Sequence, residues 1–224
     1  MSDIRLVVFD LGGVIVRHCR SWAEGCAAAG LELRDGCESP KMTSRRRELA
    51  RQLMCGSISE SEFYRRMSEA MEGLYQPTEI ERVHCCWTQE EYEGTYDIVQ
   101  RLKNAPALHI GVLSNTNAPH WRLLADRGRY PTVALLVGEN RASNEGNLAR
   151  VHASHLLGLA KPDPAVYAEY QRRADIAPEA ILFFEDLPEN AAAARAAVWT
   201  VEEIDWRRET AGQIEAALKR HKVL

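Results

Sequence analysis

The 224-residue chain predicts an α/β fold: a mainly parallel sheet flanked by helices, with an all-helical segment inserted after the first strand. Three observations carry this. Short apolar runs such as LVVF (6–9) and ILFF (181–184) have the length and branching of strands buried on both faces. From about Tyr96 onward such runs alternate with helical patterns, as βαβ units require. Between His18 and Trp87, in contrast, only helical texture is found.

The opening stretch LVVFDLGGVIV (6–16) predicts a strand ending on Asp10, followed by Gly12 and Gly13, which permit close backbone approach and positive φ. In the insertion, SWAEGCAAAGLEL carries small and apolar residues at helical spacing. TSRRRELARQLMCG places Leu49, Leu53 and Met54 on one side with Gly56 as a stop. Ser59 and Glu62 form a capping-box pattern ahead of Phe63, Met67 and Met71, and a further helix runs from Thr78 to Trp87. The basic cluster Arg45, Arg46, Arg47 and Arg51 beside Glu48 reads as a solvated helix face.

The second half predicts a helix over 96–103, a strand over 108–115, a short helix in HWRLLADRG and a strand over 133–138. Residues 139–147 receive no assignment. A short strand over 151–154, a helix over 164–174, a strand over 180–186, an Ala-rich helix over 189–197, a final strand in VWTVEEI and a helix over 210–219 complete the order.

A net charge of −4 does not suggest binding to nucleic acid or anionic membranes, and no apolar run is long enough to span a bilayer. The six cysteines contain no CxxC pair. With no signal-peptide pattern at the start, the expectation is a cytoplasmic protein with reduced thiols.

Three predicted strands end in polar residues: Asp10, Ser114-Asn115 and Glu185-Asp186, while Lys161-Pro162 precedes a helix. Carboxyl ends of parallel strands share one edge, so these groups converge. Carboxylates gathered this way call for a cation such as Mg²⁺, and a hydroxyl, helix-start N–H groups and a lysine suit a phosphoryl group. Each motif alone has an ordinary structural reading: Ser114-Asn115 as a helix cap, Lys161 as a turn lysine, Glu185-Asp186 as an acidic helix start. The joint placement favours a site.

In order, DLGGV, LSNTN, AKPDP and FFEDLPEN resemble the four motifs of the haloacid dehalogenase (HAD)-like hydrolase superfamily. The helical block resembles the cap that C1-cap members insert after the first motif. The combination is most similar to the branch holding sugar-phosphate phosphatases and epoxide-hydrolase N-terminal phosphatase domains. The resemblance implies a Rossmann-like core over 1–16 and 93–224 and a cap over 17–92. It implies Asp10 as nucleophile and metal ligand, the Gly12 carbonyl and Asp186 as further Mg²⁺ ligands, and Glu185 reaching the metal directly or through water. Ser114 would bind the phosphoryl oxygens, Asn115 would position substrate or Asp10, Lys161 would neutralise charge, and Asn190 would orient the metal shell.

Members with phosphatase activity carry a second aspartate two residues after the nucleophile, as general acid and base. Here that position is Gly12. The loss is worth roughly 10²–10⁴-fold, least for good leaving groups. His18 titrates in the right range to help and joins the candidate substrate contacts, with Arg17 and Trp22 beside it. Val198 stands where relatives place glycine.

The implied activity is Mg²⁺-dependent hydrolysis of a small phosphate monoester, a sugar phosphate or similar metabolite, through phospho-Asp10, by a monomer or homodimer. Two other readings fit Gly12: a metal-independent 2-haloacid dehalogenase, and a catalytically weak binding or regulatory protein.

Overall fold

The computed structural model describes residues 3–137 and 149–224. The unassigned stretch 139–147 lies outside them. Five strands form an all-parallel sheet: β1 (Leu6–Phe9), β4 (His109–Ser114), β5 (Val151–Ala153), β6 (Ile181–Glu185) and β7 (Thr200–Glu203). Their order is β5-β4-β1-β6-β7. β1 lies at the centre because every one of its side chains is buried, which suits a strand covered on both faces. Val7 and Phe9 join one core cluster and Leu6 and Val8 the other, the alternation that a pleated strand imposes. Phe9 pairs with Val112 on one side and Phe184 on the other, so Asp10 emerges between the ends of β4 and β6. The chain builds outward from β1 first through β4 and then through β6, which makes this edge a topological switch point.

The insertion folds as α1 (Trp22–Ala28), α2 (Pro40–Met54), α3 (Glu60–Ala70) and α4 (Pro77–Cys85). Ser21, Ser39 and Ser59 cap the first three through their hydroxyls. These helices bury a cluster of their own, including Trp22, Leu53, Phe63, Met67, Tyr75 and Val83. A two-stranded antiparallel ribbon, β2 (Val16–His18) with β3 (Thr88–Glu91), carries the chain into and out of this helical unit. The ribbon was not expected from sequence: its strands are too short and too polar to show a period.

α5 (Thr95–Lys103) and α6 (Ala118–Leu123) fall where helices were expected, while α7 (Pro131–Val137) and the short α8 (Ser154–Leu157) do not. The expected strand over 133–138 is corrected: residues 131–137 are helical. Thr132, Val133 and Leu136 share its buried side, and the Glu91 carboxylate accepts hydrogen bonds from the backbone N–H groups of Thr132 and Val133, both at 2.9 Å. That cap comes from a residue 41 positions before Thr132, so the local β-branched texture misleads. α9 (Pro164–Ala174), α10 (Pro188–Ala196) and α11 (Thr210–Arg220) complete the core. No helix among the described residues is long and apolar enough to cross a membrane, and the six cysteines are free thiols.

Val198 holds φ +68 just past α10, in the left-handed position where the Trp199 N–H returns to the Ala194 carbonyl. A β-branched side chain is strained there by about 1–2 kcal/mol, while glycine loses part of that advantage to chain entropy. Val198 is exposed, so little packing is lost on substitution. Val198→Gly is expected to stabilise the fold by about 1 kcal/mol, read as a higher urea midpoint with an unchanged slope.

Candidate active site

Asp10 leaves β1 with its backbone N–H on the Phe184 carbonyl, and its Oδ1 accepts from the Leu11 N–H at 2.7 Å. Lys161 reaches it from the loop before α9, with Nζ 3.0 Å from Asp10 Oδ2 and 2.6 Å from Glu185 Oε2. The Lys161 side chain is fully buried. Asn115 holds that loop: its amide donates to the Lys161 carbonyl at 2.8 Å and accepts from the Lys161 N–H at 2.9 Å. Its amide therefore acts on the lysine backbone. Ser114 is buried at the end of β4 and faces the same cavity.

Glu185, at the end of β6, is wholly engaged. Besides Lys161 on Oε2, its Oε1 accepts from the N–H groups of Asp186 and Leu187 at 3.1 and 3.0 Å, and the buried Asn190 side chain also favours its charged form. Asp186 turns toward Asp10. Asp10, Glu185 and Asp186 each offer an oxygen within 4.8 Å of the others. Arg20, just past β2, sets its Nη2 2.7 Å from Asp186 Oδ2 and stacks on Trp206 at 4.3 Å.

The electrostatics follow from burial. Asp10 is pushed up to about 6 by desolvation and by the Glu185 charge, against the pull of Lys161. Asp186 is pushed up to about 7 by desolvation and by Asp10, with Arg20 opposing. Glu185 is buried too, but Lys161 outweighs that penalty and holds it below the ordinary carboxylate value. Lys161 in turn lies above the ordinary lysine value: desolvation opposes its charge, and the two carboxylates prevail. Two carboxylates that resist ionising beside each other are the donor set a hard divalent cation relieves.

The glycines have separate reasons. Gly13 holds φ +78, and a Cβ there would lie 2.3 Å from both Asp186 Oδ2 and Arg20 Nη2. At Gly12 a Cβ would meet the His18 ring at 2.8 Å. His18 thus packs into the space beside Gly12. Its Nδ1 lies 2.9 Å from the Cys19 carbonyl, so the ring proton sits on Nδ1 and Nε2 is an acceptor. Burial and the neighbouring Arg20 lower its pKa to about 4.

Of the other candidates, Trp22 lines the cavity, whereas Arg17 stacks on Tyr92 at 4.1 Å and pairs with Glu209. Within the basic cluster, Arg51 and Arg45 pair with Glu48 and Glu72, and Arg47 reaches the cavity.

Sequence reasoning missed a polar network where the helical unit meets the core. His84 on α4 stacks on His120 of α6 at 4.0 Å. Asn117 caps α6, accepting from the His120 N–H at 3.0 Å, and its Nδ2 donates to His84 Nε2 at 3.2 Å and to His120 Nδ1 at 3.3 Å. His84 Nδ1 donates to the Tyr64 hydroxyl at 3.1 Å. The cap was readable from Asn117-Ala-Pro; the partners, 33 and 53 residues from it, were not.

Both rings must be neutral in this network, and desolvation lowers their pKa values, His84 well below the ordinary range with His120 adding to the effect. The unfolded chain therefore binds more protons below about pH 6.5. Stability is present in full above that pH and is lost as pH falls toward the lowered native value. For His84 the loss at pH 5 is up to about 2 kcal/mol. Urea titrations at pH 7.5 and 5.0 are expected to show a smaller acid loss in His84→Gln than in the parent.

The strand ends, the buried lysine and the three carboxylates occupy one edge of a doubly wound sheet. The haloacid dehalogenase-like hydrolase family model matches residues 4–197.

The chain belongs to this family.

No curated protein matches the sequence. Among solved structures, this hydrolase is similar to a predicted HAD-like family hydrolase from Porphyromonas gingivalis, with 24% identity, TM-score 0.73, and 97% of this chain and 99% of that one covered. It is also similar to an HAD family enzyme from Bacteroides thetaiotaomicron in complex with magnesium and inorganic phosphate, with 19% identity, TM-score 0.71 and coverage of 92% and 96%. An L-2-haloacid dehalogenase from Xanthobacter autotrophicus with chloropropionic acid covalently bound matches at 14% identity and TM-score 0.59, over 90% and 77%. At these identities the likeness is one of fold.

Proposed function

We propose that this hydrolase is a Mg²⁺-dependent phosphatase acting on small phosphate monoesters through a phosphorylated Asp10. The observation that supports it best is the pairing of Asp10 with Asp186 in one buried crevice, each carboxylate pushed up by burial and Asp10 beside Lys161. The magnesium and phosphate in the Bacteroides structure agree with it.

Asp10, the Gly12 carbonyl and Asp186 would hold the ion, and Glu185, its oxygens spent on Lys161 and the backbone, would hold the lysine and the turn in place. Bound there, Mg²⁺ supplies charge neutralisation for the carboxylates and the phosphoryl oxygens. Asp10 attacks phosphorus in line with the leaving oxygen, Ser114 and Lys161 bind the equatorial oxygens, and water then releases phosphate from the acyl phosphate. Residues 17–92 act as the cap, and residues 1–16 and 93–224 as the catalytic core. The test is hydrolysis of p-nitrophenyl phosphate with Mg²⁺ and with EDTA: metal-dependent turnover supports the reading, and none across a broad phosphate panel overturns it.

A second reading, metal-independent dehalogenation on Asp10, rests on the Arg20–Asp186 pair at 2.7 Å, which partly neutralises the carboxylates from within the chain. Chloride release from 2-chloropropionate in EDTA would establish it in place of the first.

A further inference from the structure

Resting on the phosphatase reading, we infer that the substrate is an aryl phosphate, with an aromatic hydrocarbon leaving group in place of a sugar. Two independent observations carry this. The first is the wall beyond the phosphoryl site. A single cavity of about 740 Å³ runs from Asp10, Ser114 and Asp186 into the helical unit. There its lining includes Trp22, Leu53, Phe63, Met67, Val83 and Trp87. Among its polar lining residues, His84, Asn117 and His120 are engaged with one another. A sugar seated here would leave several hydroxyls without partners, at about 1–3 kcal/mol each. A flat ring loses nothing of the kind and gains contact with indole and phenyl faces. Of the other polar lining groups there, Ser21 caps α1, Arg46 donates to the Cys37 carbonyl and to the Thr43 hydroxyl, and Glu38 and Arg47 are exposed.

The second observation is the missing proton donor. Position 12 is glycine, and the ring that fills the space beside it, His18, has its proton directed to the Cys19 carbonyl. The leaving oxygen therefore departs as an anion. An alkoxide from a sugar or alkyl phosphate is a poor anion, whereas an aryloxide spreads its charge into the ring. The step balances: an Asp10 carboxylate oxygen bonds to phosphorus, the P–O bond to the aryl group breaks with its electron pair on the aryloxide, and solvent protonates that oxygen. Water then adds to phosphorus, the Asp10–phosphorus bond breaks, and inorganic phosphate and a free carboxylate result.

The experiment compares 2-naphthyl phosphate, hexyl phosphate and glucose 6-phosphate in Mg²⁺. We expect kcat/KM for the naphthyl ester to exceed that for the sugar by at least about 100-fold and for the hexyl ester by at least about tenfold. Because aryl esters are intrinsically more reactive, binding is read separately. In Asp10→Asn, quenching of the Trp22 and Trp87 fluorescence should show 2-naphthyl phosphate binding at least about tenfold tighter than glucose 6-phosphate. Ala50→Trp, which fills the half-buried lining of α2, should weaken naphthyl phosphate far more than it weakens acetyl phosphate turnover. Equal or better turnover or binding of the sugar overturns this inference and leaves the phosphatase reading standing. Hydrolysis of no phosphate ester at all overturns both.

Discussion

Replacing Lys161 by methionine is expected to lower stability by about 3–5 kcal/mol and to abolish phosphatase turnover. The lysine side chain is fully buried and bridges Asp10 at 3.0 Å and Glu185 at 2.6 Å. Removing it leaves two carboxylates facing each other in a desolvated crevice with one positive partner gone, and the uncompensated charge costs more than the pair itself contributed. Methionine keeps the volume, so the loss is electrostatic and not a cavity effect. Urea denaturation of Lys161→Met, of Glu185→Gln and of the double variant measures it: the double variant should recover much of the loss, because Glu185 is then neutral. Additive losses would mean that water relieves the carboxylates. Lys161→Arg should not restore the parent, since the planar guanidinium cannot place one nitrogen between the two oxygens as the ammonium does.

The second large effect concerns Asp10 itself. Asp10→Asn should reduce kcat by at least about 10⁴-fold, because a neutral amide cannot form the acyl phosphate. It should not unfold the protein. In metal-free buffer its Tm is expected to match or exceed the parent's, since burial and the nearby Glu185 charge already push the Asp10 carboxyl up to about 6. Loss of activity together with a retained or raised Tm separates a nucleophile from a structural carboxylate. A clear fall in Tm would place Asp10 among the residues that hold the lysine loop, and residual turnover above about 1% would assign the attack to another group.

Much of the candidate site is legible in the sequence. Asp10, Ser114, Glu185 and Asp186 end or directly follow runs whose composition makes them buried strands, and the shared edge of a parallel sheet brings strand ends together without side-chain detail. Lys161 was legible by its place before a helix start, though its full burial was not. At Asn115 the local pattern stops short. Its position near the site was readable, but which group its amide meets depends on a loop 46 residues later. The strand expected over 133–138 failed for a related reason: Val133, Leu135 and Val137 favour either state, and Glu91 tips the segment to helix by capping it.

The sequence by itself determined the α/β class, the five strands of the parallel sheet, the helical insertion after β1 and the acidic edge. All of these follow from the period and burial of short runs, which are local quantities. Only the tertiary structure decided what surrounds Asp10: His18 beside Gly12, Arg20 on Asp186, the His84–Asn117–His120 network and the apolar chamber above. Each of these is a contact between elements, set by packing and charge between residues remote in the chain, and no local pattern encodes it.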